Sequence, residues 1–329
     1  MRGFRFIPEG ININFIGMRF FAYIVSICIV CGSLGLVLVQ GLNMGIDFTG
    51  GTAIEIRTPV TPDLERLRSR LNGLGLGTVS IQEFGQPNDL LIRLSEQSES
   101  DEEAALRKVC LEKNDREACP NKNAQAITTL RGALSEAFEG QVVDYRRIEF
   151  VGPQVGKELK VQGLYAVLFS LLGILTYVWF RFEWQFGIAA IVALLHDAVA
   201  TLGLFAVTQL EFNLSTVAAI LMIAGYSIND TVVVFDRIRE NLRKYKKKPL
   251  PELFNFSVNQ TLSRTLMTSV TTFLALLALY LFGGEVIRGF VYALIFGIAI
   301  GTYSSIFVAS PVLLLMNIKR GAVALEESS

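Results

Sequence analysis

Apolar residues follow two patterns along this chain. In Phe20–Gln40, Gly163–Phe180, Gln185–Gln209, Leu214–Asn241, Thr261–Phe282 and Val286–Met316 they persist for span length, and polar side chains interrupt them without forming an alternating face. At about 1.5 Å rise per residue, such runs cross a hydrocarbon core of roughly 30 Å. The first run exceeds a signal-peptide core and carries no small-x-small cleavage signal, so an uncleaved span is expected. The fourth begins as a long apolar helix and ends in the basic stretch RIRENLRKYKKK. The last two form a helical hairpin turned at Gly283-Gly284-Glu285. Six spans are predicted.

Between the first and second spans, from Leu42 to about Val155, the pattern shortens. GGTAIEIRT alternates like a half-buried strand, and TPDLERLRSRLNGLG opens with a Thr-Pro cap-and-N1 signal followed by leucines at helical spacing. TVSIQEF and DLLIRLS read as strands joined by the turn signal GQPN. A second helix is expected near Ala124–Phe138, and QVVDYRRIEFV closes as a strand. The order β-α-β-β-α-β is that of a ferredoxin-like α+β domain. The expected division is 1–41 for the N-terminus and first span, 42–155 for the ferredoxin-like domain, 156–318 for spans two to six, and 319–329 for the tail.

Composition adds a class and removes others. Of 329 residues 51% are hydrophobic, which with the span-length runs makes this a polytopic membrane protein. Lys and Arg total 30, as do Asp and Glu, but the zero net charge conceals segregation. The N-terminus (Arg2, Arg5, Arg19), the Arg181 turn, the Arg237–Lys248 loop and the Lys319-Arg320 tail are basic; the alternate turns around Glu211 and Glu285 are acidic or neutral. Basic loops stay cytoplasmic. Both termini are therefore expected in the cytoplasm and the ferredoxin-like domain outside, in the periplasm. That domain is more acidic than basic and lacks aromatic-basic interleaving, so no nucleic-acid partner is expected.

The single His and the absence of a Cys/His cluster argue against a zinc site. Cys28 and Cys31 have CxxC spacing but lie within an apolar run, where small buried packing residues are expected. Cys110 and Cys119 bound a short loop followed by Pro120, and an oxidising compartment favours a disulfide between them. No GxxxxGK[ST] is present, no cofactor is expected, and the chain is not read as an enzyme.

Three ionisable sites lie inside the spans. Asp230 follows Gly225, Tyr226, Ser227 and Asn229 in the fourth run. A carboxylate there costs about 2.5–3.5 kcal/mol on insertion scales, so it holds helices together, lies at a helix end in the interface, or changes protonation state. His196 and Asp197 lie near the middle of Gln185–Gln209, as a packing pair or as part of a proton path. Arg264 shares a helix face with Thr261, Thr265, Thr268, Thr271 and Thr272. Lipid does not solvate such a face, so it is expected to point into the bundle at the depth of Asp230 and to pair with it, or else to snorkel to the interface.

Three long motifs, in order around the six spans, resemble the SecF family. They are GIDFTGG (Gly45, Asp47, Phe48, Gly50, Gly51), VGPQVGKEL (Gly152, Pro153, Gly156) and GYSINDTVVVFDRIREN (Gly225, Tyr226, Asn229, Asp230, Asp236, Arg237, Arg239, Glu240, Asn241). The His196–Asp197 pair, LSRTLMTS and YLFGG extend the similarity along nearly the whole chain. The resemblance implies a bacterial plasma-membrane protein related to the RND superfamily, its six spans forming one half of a twelve-span unit completed by a SecD-like subunit. It further implies work beside the SecYEG channel on a translocating unfolded polypeptide, driven by proton movement, with the intramembrane acid at Asp230 and the intramembrane cation at Arg264. Physics favours that energy source. A motor outside the membrane has no ATP, and one charge crossing the field is worth about 2.3 kcal/mol per 100 mV. Two other classes fit six spans, an RND-type exporter of small molecules or lipids and an assembly factor without ion chemistry. The first needs a large outer cleft, and the second tolerates Asp230→Asn.

Overall fold

The computed structural model describes residues 12–77, 79–84, 86–95, 122–316 and 318, apart from the side chains of Phe84, Glu285 and Val286. Cys110 and Cys119 lie outside these residues. The chain separates into two units, 1–43 with 163–329, and 44–162.

The smaller unit is built on a four-stranded antiparallel sheet. Its strands are β1 (Gly51–Arg57), β2 (Val79–Phe84), β3 (Gln86–Leu94) and β4 (Asp144–Val151), in the spatial order β2-β3-β1-β4. Two helices, α3 (Leu64–Asn72) and α4 (Lys122–Ala137), occupy the β-α-β crossovers, giving the ferredoxin-like order read from the sequence. Period-two alternation puts Ile54, Ile56, Leu90, Ile92 and Leu94 on one face, where they pack against Leu67 and Leu71 of α3 and Leu130 and Leu134 of α4. Ala53 and Leu91 point the other way, onto Ile46 of a short helix, α2 (Ile46–Thr49).

Two local signals resolve differently from their sequence reading. Thr61-Pro62 does not cap α3: Asp63 does, its carboxylate accepting from the Glu65 and Arg66 amides. A carboxylate that reaches two orphan N–H groups outcompetes a threonine placed too early. The expected GQPN turn is also mostly strand, since β3 begins at Gln86. Register slips between Glu83 and Phe84, so Phe84 faces Gln86 and Pro87 lies in the bulge, where its missing N–H breaks no ladder bond.

The glycine motifs meet in this unit. A Cβ added to Gly156 would lie 3.1 Å from the Gly50 nitrogen, and one at Gly50 would lie 3.1 Å from the Pro153 Cα. Gly50 also has φ +72°, a left-handed conformation suited to glycine. GIDFTGG and VGPQVGKEL therefore require small residues because their backbones touch.

The larger unit holds the membrane helices: α1 (Arg19–Val39), α5 (Pro153–Arg181, which begins in the smaller unit), α6 (Trp184–Thr208), α7 (Leu214–Lys244), α8 (Leu250–Phe282) and α9 (Glu285–Ser304). The last continues through a π-helical turn (Ser305–Ala309) into α10 (Ser310–Leu315), and together these make six helices long and apolar enough to cross a membrane. In α6, α7 and α9–α10 about half of the apolar stretch is buried (56%, 50% and 56%), against 17% in α1 and 11% in both α5 and α8. The first three are central and the others peripheral. Small residues permit close approach to the central helices: a methyl at Gly203 would overlap the Ser33 hydroxyl of α1, and one at Gly297 would overlap Ile223 of α7.

Helices α5 and α8 start well before the apolar runs that announced them. In α8 the polar residues of the first turns have partners. Asn255 and Asn259 accept from the Ile16 and Ile13 amides at 3.2 and 2.9 Å, and Ser257 and Gln260 accept from Asn241 at 2.9 Å each. Cys28 and Cys31 are exposed free thiols, not buried packing residues as expected. The buried stripe of α1 is Ala22, Ser26 and Ser33, and both cysteines lie off it.

Candidate functional site

Helix α7 runs through the middle of the bundle and carries polar side chains to two different places. Ser227 and Asp230 are three residues apart, close to one turn, and both are buried.

Ser227 faces α6. Its hydroxyl donates to Asp197 Oδ2 at 2.6 Å, and Ser304 at the end of α9 donates to the same oxygen at 2.7 Å. His196 Nδ1 lies 3.0 Å from Asp197 Oδ1. Asp197 thus joins three central helices through one carboxylate, only 1% exposed. The network spreads outward along consecutive residues of the last span. The Tyr303 ring lies 5.9 Å from the His196 ring, and its hydroxyl donates to the Ala22 carbonyl of α1. Thr302 shares a 2.7 Å hydrogen bond with Ser269 of α8, which in turn accepts from Tyr226 at 3.3 Å. The helix leaves α geometry immediately afterwards. The Ser310 hydroxyl donates to the Ser305 carbonyl across the π turn, and Pro311, which supplies no amide hydrogen, follows it.

Asp230 is 3% exposed, and its Oδ2 has no hydrogen-bond partner among the described residues. The charge of Arg264 on α8 reaches it, yet the two form no ion pair within 4.0 Å among the described residues. This corrects the expectation of a pair pointing into the bundle. Helix α8 buries Phe254, Val258, Thr261, Thr265 and Ser269, a stripe at spacings of three and four. Arg264 is one residue, about 100° of rotation, from Thr265, and it lies on the exposed side. The threonine face divides accordingly: Thr261 and Thr265 are buried, Thr268 and Thr272 are half-buried and Thr271 is exposed. Among the described residues, Thr265 Oγ1 is a second buried polar atom on this side without a partner, as is His196 Nε2 at the other site.

The remaining motif residues link helix ends. Asp236 pairs with Arg181 of α5 at 3.1 Å, Arg237 with Glu240 at 2.8 Å, and Arg239 donates to the Arg181 carbonyl. Asn241 bridges to α8 as above. Gly225 and Asn229 lie on the exposed side of α7. Ser304, Tyr303 and the π turn were not singled out in the sequence. The run TYSS within an otherwise apolar span was their available signal.

Known proteins share this architecture. A family model for the SecD/SecF protein-export membrane protein C-terminal region matches residues 133–319, and one for the SecD/SecF GG motif matches residues 35–58. The protein translocase subunit SecF of Rickettsia rickettsii (strain Sheila Smith) is 46% identical over 309 residues, covering 94% of this chain and 93% of the relative. That of Rickettsia bellii (strain OSU 85-389) is 45% identical over 317 residues, covering 96% and 97%. Among solved structures, SecDF of Thermus thermophilus, a translocon-associated membrane protein, superposes with a TM-score of 0.78 at 37% identity over 93% of this chain. SecDF in a super-membrane-facing form gives 0.65 at 36% identity over 98%. This chain spans only 39% and 41% of those two longer chains, whereas it matches its SecF relatives nearly end to end. On both the family models and the full-length relatives, the chain belongs to the SecF family of protein-export membrane proteins.

Proposed function

We propose that this chain is the SecF half of a SecD–SecF unit that couples proton movement through the membrane to translocation of an unfolded polypeptide at SecYEG, and that it is a coupling subunit and not an enzyme. Asp230 is the proton-carrying acid. The observation that carries this reading is its buried carboxyl oxygen, without a partner among the described residues, near the middle of a central helix. A buried polar atom without a partner is costly and is retained where it has work to do. Protonation removes the cost of a buried charge, and ionisation draws Arg264 inward. The two states therefore favour different packings of α7 on α8.

The exposed position of Arg264 supports the two-subunit reading. Hydrocarbon does not solvate a guanidinium, so its side of α8 calls for a covering surface, which the SecD-like subunit provides. The Asp197 carboxylate, held by His196, Ser227 and Ser304, serves packing first. Both termini are placed in the cytoplasm and the ferredoxin-like domain outside, on the basic-loop asymmetry.

Export of a reporter precursor in cells lacking the wild-type copy tests the assignment. Asp230→Asn and Arg264→Met should each remove the proton-dependent component while leaving insertion and association with SecD intact. The double variant should be no worse than either single, because both disable one unit. Arg264→Lys should retain part of the activity. Normal proton-dependent export by Asp230→Asn refutes the reading and favours an assembly role. Labelling of a cysteine placed at Lys246 by an impermeant reagent in intact cells refutes the orientation.

A further inference from the structure

A charged groove lies at the end of the bundle where α5 stops and α7 runs past it, away from both buried carboxylates. Its volume is about 970 Å³, within the range of small-molecule sites. Residues Asp236, Arg239, Glu240, Arg243 and Lys244 line it from one face of α7 at spacings of three and four, and Phe180 and Arg181 line it from α5. Among the described lining residues four cations stand against two carboxylates, Asp236 pairing with Arg181 and Glu240 with Arg237 from outside the groove. The surplus charge is positive. Arg243 and Lys244 also sit in the last turn of α7, where the helix dipole adds negative potential and helps hold the two cations close together.

Phe180 lines the groove, and further exposed aromatic groups lie next to it along the chain. Phe180 is 91% exposed, Trp179 66% and Trp184 55%, all beside the α5–α6 turn. Aromatic side chains at helix ends mark the level of the lipid headgroups. Along α5 towards the middle of the membrane the exposed surface continues as Tyr177, Leu172 and Phe169. A ligand that fits both halves has an anionic head and long apolar tails.

We infer that this groove is a binding site for an anionic phospholipid, with the phosphodiester held by Arg243 and Lys244 with Arg239, and the acyl chains lying along α5. Basic pockets between membrane helices recognise phospholipid headgroups in this way. A free phosphate would use the cations but not the aromatic rim, and so the lipid is the occupant the rim favours. The site is independent of the proton chemistry assigned to Asp230.

The chain has two tryptophans, Trp179 and Trp184, and both lie within four residues of the groove-lining Phe180. They make a native probe. The full chain is reconstituted in phosphatidylcholine vesicles into which either dibromo-phosphatidylglycerol or dibromo-phosphatidylcholine is titrated, and bromine quenching is read from tryptophan fluorescence. Brominated phosphatidylglycerol should quench at a lower mole fraction than brominated phosphatidylcholine. Arg243→Gln and Lys244→Gln, both at exposed positions, should reduce that preference by about fivefold per charge. Lys246→Gln with Lys247→Gln removes the same charge from the neighbouring loop and should leave the preference in place. Equal quenching by the two lipids overturns the site. An equal loss in the loop variant also overturns it, in favour of a diffuse polybasic attraction. Abolition of the preference by inorganic phosphate alone, added in the inner and outer buffer, assigns the groove to a free anion and overturns the lipid.

Discussion

Asp197 and Asp230 lie in the same helix bundle, both almost wholly buried, and their surroundings are opposite. Asp197 is held by Ser227, Ser304 and His196, from its own helix and two neighbours. Among the described residues, Asp230 leaves an oxygen without a partner and forms no ion pair with Arg264. Both carry the same sequence signature of an acid in a span. A satisfied carboxylate stiffens the packing around it, while an unsatisfied one leaves an energetic difference between its two protonation states for a conformational change to use.

The sharpest way to break this comparison is to neutralise both acids and read activity beside stability. Asp230→Asn should remove proton-dependent export altogether and leave the unfolding midpoint of the detergent-solubilised protein unchanged or slightly higher, since it removes a buried ionisable group. Asp197→Leu should do the reverse in kind. It strands two serine hydroxyls and should destabilise the bundle by about 3–5 kcal/mol, visible as a lower midpoint in size-exclusion thermal assays. If Asp197→Leu unfolds like the parent protein, Asp197 is not the hub described here.

A finer test separates its two serine donors. Ser227→Ala and Ser304→Ala should each cost about 1–2 kcal/mol. They share Asp197 Oδ2, so the double variant should depart from additivity, whereas additive losses would mean that the hydroxyls act separately.

The smallest effect concerns a third carboxylate, outside the membrane helices. Two hydrogen bonds from Arg57, at 2.6 Å each, hold the Asp89 carboxyl below its ordinary range, with Arg146 adding to the effect. With the folded pKa depressed, the contribution is complete above the unfolded value of about 3.9 and disappears as pH falls through the folded one. Arg57 is a third exposed, and solvent screening limits the effect to about 1 kcal/mol. Arg57→Met should therefore lower protection of the β1 and β3 amides at neutral pH and flatten its loss on acidification, as measured by hydrogen exchange. Unchanged acid dependence would show that Arg146 alone sets the carboxyl.

Much of the architecture was written in local pattern. A span needs length and continuous apolarity, so Phe20–Gln40 anticipates Arg19–Val39, and Gln185–Gln209 anticipates Trp184–Thr208, within one residue at each end. Period-two alternation and helical spacing carried the β-α-β-β-α-β order for the same reason, since each reports which side of one element is buried. The starts of α5 and α8 were hidden because hydropathy registers lipid, not hydrogen bonding: Asn255, Ser257 and Asn259 look like a loop until Asn241 and the Ile13–Ile16 backbone come to meet them.

The chemistry divides along the same line. The residues by themselves determined that carboxylates occupy spans, because the cost of charge in hydrocarbon depends on residue type and position alone. Only the tertiary structure decided that Asp197 is satisfied and Asp230 is not, and that Arg264 turns away from the packed stripe of α8. Those outcomes depend on which helices cross at a given depth and at what rotation. Such crossings are set by small residues such as Gly203 and Gly297 packing against distant neighbours, and no local period encodes them.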